Sequence, residues 1–226
     1  MLQKLQAGTG LLIAGFLVLH LVNLWLAPFG AAAYDGAQSS VRGIYQWPPL
    51  EIALLAAISI HLVIGILGLK PAPKSPMTAR RRLHRYSGIF LGLSIGGHIL
   101  AVRGTSYVYD VWAGFSGVGF TLQWTPYAFY PYYFLLAVGG LYHGLNGVPV
   151  AVNRLVPRKD NTSPLSLSNN ALRYATFCAC LATALALLSF GGLFFNVGGV
   201  MQTEYALLIQ DIYAQMYALV TPGRDL

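Results

Sequence analysis

The sequence predicts an all-α fold, a transmembrane helical bundle of five spans within a single membrane domain covering residues 1–226. Three observations predict it. Of the 226 residues, 56% are hydrophobic and only 9% charged, whereas an ordinary soluble domain carries about 25% charge. The mean hydropathy is +0.58, and a chain this apolar cannot cover its own surface with polar groups, so the excess faces lipid. Apolar runs long enough to cross hydrocarbon recur at about 8–28, 49–69, 87–103, 130–149 and 173–199. Basic residues gather in alternate connections between these runs. A soluble globular enzyme is excluded, and the +7 formal charge reads as a topogenic signal, with no nucleic-acid partner.

The first run is led by Lys4 and is too long for a cleaved signal peptide, so it is retained as a span. Turn chemistry marks the breaks: Pro28-Phe29-Gly30, Trp47-Pro48-Pro49, Pro71-Ala72-Pro73, and Pro157 with the polar stretch 161–170. The second connection holds Lys70, Lys74, Arg80, Arg81, Arg82 and Arg85, and the fourth holds Arg154, Arg158, Lys159 and Arg173. The odd connections carry little beyond Arg42 and Arg103. The positive-inside rule therefore puts the N-terminus and the even connections inside and the C-terminus outside. The third connection, about 104–129, is dense in Gly, Tyr, Phe and Trp and is expected at the outer interface, as a lid. Residues 204–220 repeat apolar side chains at helical spacing, so an amphipathic helix is expected there, packed on the bundle in preference to lying along the outer surface. Cys178 and Cys180 both sit inside an apolar run and supply neither a disulfide framework nor a zinc or iron–sulfur set. No internal repeat stands out.

Four histidines carry the functional signal: His20, His61, His98 and His143, one inside each of the first four spans. An imidazole in hydrocarbon needs hydrogen-bond partners or a metal, so each is a candidate site residue. Depth follows from the rise of 1.5 Å per residue, counted from the nearest basic residue at the inner boundary. On that count His20 lies roughly 24 Å and His98 roughly 20 Å from the inner boundary, whereas His61 and His143 lie roughly 14 and 16 Å from it. Two levels with two imidazoles each are what two stacked bis-histidine haems require, one axial nitrogen from either face of each iron. A tetrahedral zinc site would instead need its ligands to converge on one point. Glycines next to the histidines (Gly65, Gly68, Gly96, Gly97, Gly139, Gly140, Gly144, Gly147) suit close passage of a broad ring or plain helix packing. Arg81, Arg82, Arg85 and Lys70 inside, with Arg42 and Arg103 outside, are available to propionates. His84, at the inner start of the third span, is expected to be solvated or to contact a propionate rather than to ligate iron.

Four local patterns resemble a known family: His20-Leu21-Val22-Asn23, His61 followed by Gly65, Arg85-Tyr86-Ser87-Gly88-Ile89 leading to His98, and His143-Gly144-Leu145-Asn146-Gly147. In order and spacing they resemble the five-helix dihaem cytochrome b membrane-anchor subunit of succinate dehydrogenases and fumarate reductases. The resemblance implies two haem b groups, an outer one on His20 and His98 and an inner one on His61 and His143. It implies an iron–sulfur subunit and a flavoprotein subunit on the cytoplasmic side, quinone as membrane substrate, and the cell's inner (plasma) membrane as location. A homo-oligomer of such a complex is left open. Glu51, the one acid near a span's outer end, is a candidate for proton exchange with the quinone or is an ordinary interfacial carboxylate, and Trp25 and Trp47 line the same region. Two rival functions are a stand-alone transmembrane dihaem cytochrome and a haem-free, proton-coupled transporter with a histidine relay.

Overall fold

A computed structural model describes residues 1–69, 77–156 and 165–221. Lys70, Lys74, Arg158 and Lys159, four of the basic residues used to orient the chain, lie outside the described residues. The described chain is helical, without a strand: α1 (Leu2–Leu24), α2 (Ala31–Tyr45), α3 (Pro48–Leu67), α4 (Ala79–Ile99), α5 (Thr105–Tyr109), α6 (Phe115–Trp124), α7 (Pro126–Leu155), α8 (Asn169–Phe190) and α9 (Glu204–Val220). Five stretches are long and apolar enough to span a membrane: Leu2–Phe29, Pro48–Leu67, Ala79–Tyr109, Pro126–Leu155 and Asn169–Phe190. The expectation of an all-α membrane protein with five candidate spans therefore holds.

The helix starts follow from local chemistry. Proline opens α3 (Pro48, Pro49) and α7 (Pro126), where a missing N–H costs nothing because that donor would have no intrahelical acceptor. Thr78 and Ser168 cap α4 and α8, their hydroxyls accepting from the backbone N–H of Arg81 and Ala171. The third span is longer than the apolar run from 87 suggested, because the Thr78 cap carries Arg80, Arg81, Arg82 and Arg85 inside α4. There, long basic side chains can reach water from a helix whose later turns are apolar. The fifth helix ends at Phe190, short of the expected 199. Gly192 and Gly199 adopt φ of +93° and +83°, a left-handed backbone that glycine takes without steric cost, and the chain turns back on itself.

The long helices form a four-membered group with one satellite. α1 packs against α3 and α7, α7 against α4, and α8 lies against the outside of α7. The pairs α1/α4 and α3/α7 are not among the closely packed ones, so they face each other across the diagonals of the group. Lys4, Arg80, Arg81, Arg82, Arg85, Arg154 and Arg173 mark one end, called here the basic end.

The opposite end is capped. The first connection, read from its Pro-Gly break as a turn, contains α2, and the third contains α6, which is packed into the cap and not a loose lid. Tyr34, Phe115, Leu122, Ala186, Leu187 and Phe190 form one buried cluster, and Val111, Ala113, Phe120, Val200, Tyr205 and Ala206 a second. A Cβ on Gly119 would stand 3.0 Å from the Phe190 carbonyl oxygen, so glycine is what lets α6 close on the end of α8. α9 is packed on the cap through Tyr205 and Ala206, while Tyr213, Met216, Leu219 and Val220 further along it stay exposed.

Asp35 ties α2 to α6 by accepting a hydrogen bond from the Phe115 N–H at 2.8 Å. Replacing it with alanine leaves a helix N–H without its acceptor, costing about 1 kcal/mol. The expected result is a fall in Tm of about 2–4 °C, read by thermal unfolding in detergent, with faster proteolysis around 110–115.

Candidate functional site

The four candidate histidines meet in the two pairs expected. His20 of α1 and His98 of α4 have ring centres 6.1 Å apart with planes at 76°. His61 of α3 and His143 of α7 have centres 6.4 Å apart with planes at 85°. A metal–imidazole bond is roughly 2.0–2.1 Å and a ring nitrogen lies about 1.1 Å from its ring centre, so imidazoles on opposite sides of one metal ion have centres about 6.3 Å apart. Both pairs have that spacing. Each pair also bridges helices that do not pack closely, so its rings project into the space between facing backbones.

The pair toward the basic end is seated by hydrogen bonds. His61 Nδ1 donates to the Gln6 carbonyl oxygen at 3.1 Å, with Thr9 Oγ1 at 3.3 Å. His143 Nδ1 donates to the His84 carbonyl oxygen at 3.1 Å, with Ser87 Oγ at 3.4 Å. In each case Nδ1 carries the proton, which leaves the Nε2 lone pair for a ligand. A glycine completes each seat: a Cβ on Gly10 would lie 2.9 Å from His61 Cε1, and one on Gly88 would lie 2.7 Å from His143 Cε1. At the other level His20 is held by packing. Phe16 stacks on it at 5.6 Å, and Tyr45 stands edge-on to Phe16 at 5.1 Å.

These seats expose a repeat that a straight reading of the sequence missed. Gln6, Thr9, Gly10 and His20 recur 78 residues later as His84, Ser87, Gly88 and His98, and Pro49, His61 and Gly65 recur 82 residues later as Pro131, His143 and Gly147. Each copy is a span, a cap helix or two, and a returning span: α1–α2–α3, then α4–α5–α6–α7. Each pair joins equivalent histidines from the two copies. On α1 and on α4 ten residues separate the seat glycine from the second histidine, so the levels stand about 15 Å apart. The loop-based depth count had them closer, because three of its boundary residues, Lys4, Arg85 and Arg154, ride inside helices.

His84 is partly exposed. Its ring lies parallel to His143, centres 4.1 Å apart and planes at 6°, and its Nδ1 is buried without a hydrogen-bond partner. Asn146, one turn beyond His143, accepts from Arg80 Nε, whose Nη1 donates to the Leu167 carbonyl at 2.7 Å. The matching Asn23, one turn beyond His20, is buried with Oδ1 unpaired. Of the glycines singled out from sequence, Gly140 and Gly144 pack on Leu17, whereas nothing lies within 4 Å of a Cβ on Gly96 or Gly97.

Glu51 lies at the cap end, 8% exposed. Both its oxygens bond the Arg103 guanidinium, and Oε2 also accepts from the Tyr107 hydroxyl at 2.8 Å. Arg103 sits in a π-helical turn, Leu100–Gly104, that resets the register between α4 and α5. Its guanidinium lies over the Tyr107 ring at 3.9 Å, and Arg42 covers Trp112 at 4.3 Å. Trp25 donates to Thr183 Oγ1 at 3.1 Å, and Trp47 is exposed.

No family model matches the chain, and no curated protein or solved structure is similar to it. The donor set itself bears on a cofactor. Two facing imidazoles can supply two bonds to one metal ion, and a porphyrin would supply the other four. All four imidazoles are only partly buried although each faces its partner across a diagonal, and no residue of α4 is buried. The residues fit bis-histidine haem in ring spacing at both levels, and in tautomer at the level of His61 and His143.

Replacing Glu51 with alanine leaves the partly exposed Arg103 charge without its anion, at a cost of about 1–2 kcal/mol. The double replacement of Glu51 and Arg103 by alanine should recover more than half of that loss. Denaturant unfolding of the single and double variants in detergent checks it.

Proposed function

We propose that the chain is a dihaem cytochrome b membrane subunit of a succinate:quinone oxidoreductase, relaying electrons between an iron–sulfur subunit and membrane quinone. The observation that carries the haem reading is the spacing of the two histidine pairs, 6.1 and 6.4 Å between ring centres. The assignment of the complex rests on the four sequence patterns that resemble the family. Haem b, when bound, supplies one-electron redox chemistry in the low-dielectric interior.

The chain's own residues do the rest. Seating of His61 and His143 through Nδ1 fixes the tautomer and leaves Nε2 free to hold haem iron, and carbonyl acceptors of this kind raise ligand basicity. His20 and His98 would hold the outer haem, with Phe16 stacked on the His20 ring. The basic end faces the cytoplasm and receives the iron–sulfur and flavoprotein subunits, its arginines supplying the complementary charge. Arg42 is the cation at the outer end that would be available to a propionate, since Arg103 is held by Glu51. Glu51 exchanges protons with quinone there once its bonds to Arg103 open.

Pyridine haemochrome assay of the purified protein should give two haems per chain. His61→Ala or His143→Ala should remove the inner one and His20→Ala or His98→Ala the outer one, about one haem remaining in each case. Near-perpendicular imidazole planes should give both ferric haems strongly anisotropic low-spin electron paramagnetic resonance spectra. A protein without haem bands overturns the reading. Haem with no co-purifying flavin or iron–sulfur subunit shifts it to a stand-alone cytochrome.

A further inference from the structure

Of the two copies of the repeat, only the second places an aromatic ring against its own seated histidine. Where the first copy has Gln6, the second has His84, and the two side chains lie alike: the Gln6 amide nitrogen is 4.0 Å from the Cβ position of Gly65, and His84 Cε1 is 3.7 Å from that of Gly147. Gln6 binds His61 by its carbonyl alone. His84 binds His143 twice, through its carbonyl oxygen at 3.1 Å and through a ring stacked at 4.1 Å. Hydrogen bonds at Nδ1 alone leave the imidazole plane room to tilt, whereas the same bonds together with a parallel ring fix it.

We infer that His84 is a positioning residue of the inner haem site. It locks the plane of His143 and so would make the two imidazoles that hold one haem inequivalent, both seated by a carbonyl and a hydroxyl but only one backed by a stacked ring. The inference rests on the haem reading above and adds a role that ligand counting does not provide. The stacked geometry also excludes His84 itself as a third ligand, since parallel rings 4.1 Å apart cannot both direct a nitrogen lone pair at one metal ion held by His143.

The repeat supplies a variant whose side chain the fold already accommodates at the equivalent place. His84→Gln makes the second seat like the first, keeping the backbone carbonyl and removing the ring. His84→Phe keeps a ring of similar shape and removes both ring nitrogens. Both are purified with the parent from membranes and read by haem stoichiometry, electron paramagnetic resonance and redox titration of each haem. The expected result is two haems in all three proteins. In His84→Gln the largest g value and the midpoint potential of the inner haem should shift while those of the outer haem stay put, and His84→Phe should restore the parent g value. An unshifted inner-haem spectrum in His84→Gln overturns the inference and leaves the haem reading intact. Equal shifts in the Gln and Phe variants also overturn it, since the stack would then not set the plane. A parent without haem bands overturns the haem reading itself.

Discussion

An imidazole inside an apolar bundle has to satisfy two nitrogens, and the arrangement of this chain depends on how that is done. His61 and His143 each settle Nδ1 on a backbone carbonyl of the neighbouring helix, beside a hydroxyl and over a glycine. That carbonyl also accepts from the adjoining hydroxyl, Gln6 from Thr9 at 3.1 Å and His84 from Ser87 at 3.0 Å, so hydroxyl and imidazole share its acceptor capacity beyond the helix bond. With Nδ1 engaged, Nε2 keeps its lone pair, and the His61 and His143 ring centres stand 6.4 Å apart between α3 and α7.

The cap serves this constraint at the other end. Aromatic packing of α2 and α6 on the end of α8, with Asp35 joining them, closes one end of the bundle without filling the space between α1 and α4. The Glu51–Arg103 pair, set by a π-helical turn, joins α3 to the continuation of α4 just beyond His98. Two helices that do not pack along their length are thereby held at a defined separation by an ion pair at one end and by neighbours shared through α1 and α7.

Much of this was legible in the sequence. Five spans, four histidines on four helices and the pairing of α1 with α4 and α3 with α7 all follow from apolar run length and from counting residues to the nearest basic boundary. Helix ends were less legible, because Arg80 to Arg85 sit inside a helix that the hydropathy run entered only at 87, and because Gly191 to Gly199 are apolar enough to read as span. The cap helices were hidden in segments whose glycines and prolines signal turns; only packing partners distant in sequence, such as Phe190 for α6, make them helical. The repeat went unnoticed because its two halves share one hydroxyl, two glycines, a proline and two histidines at fixed offsets, while the apolar positions between them are interchangeable under lipid-facing selection. Thr9-Gly10 and Ser87-Gly88, each ten residues from a histidine when counted from the glycine, were the available signal.

Because every pair draws one histidine from each copy, a single three-helix unit would hold none. Two identical units meeting about a shared axis along the helices would complete both pairs, so the present chain has the layout of a homodimer fused end to end. Fusion releases the halves from identity: a substitution such as Gln6 against His84 then alters one side of a shared centre alone, an asymmetry that two copies of one gene product cannot encode.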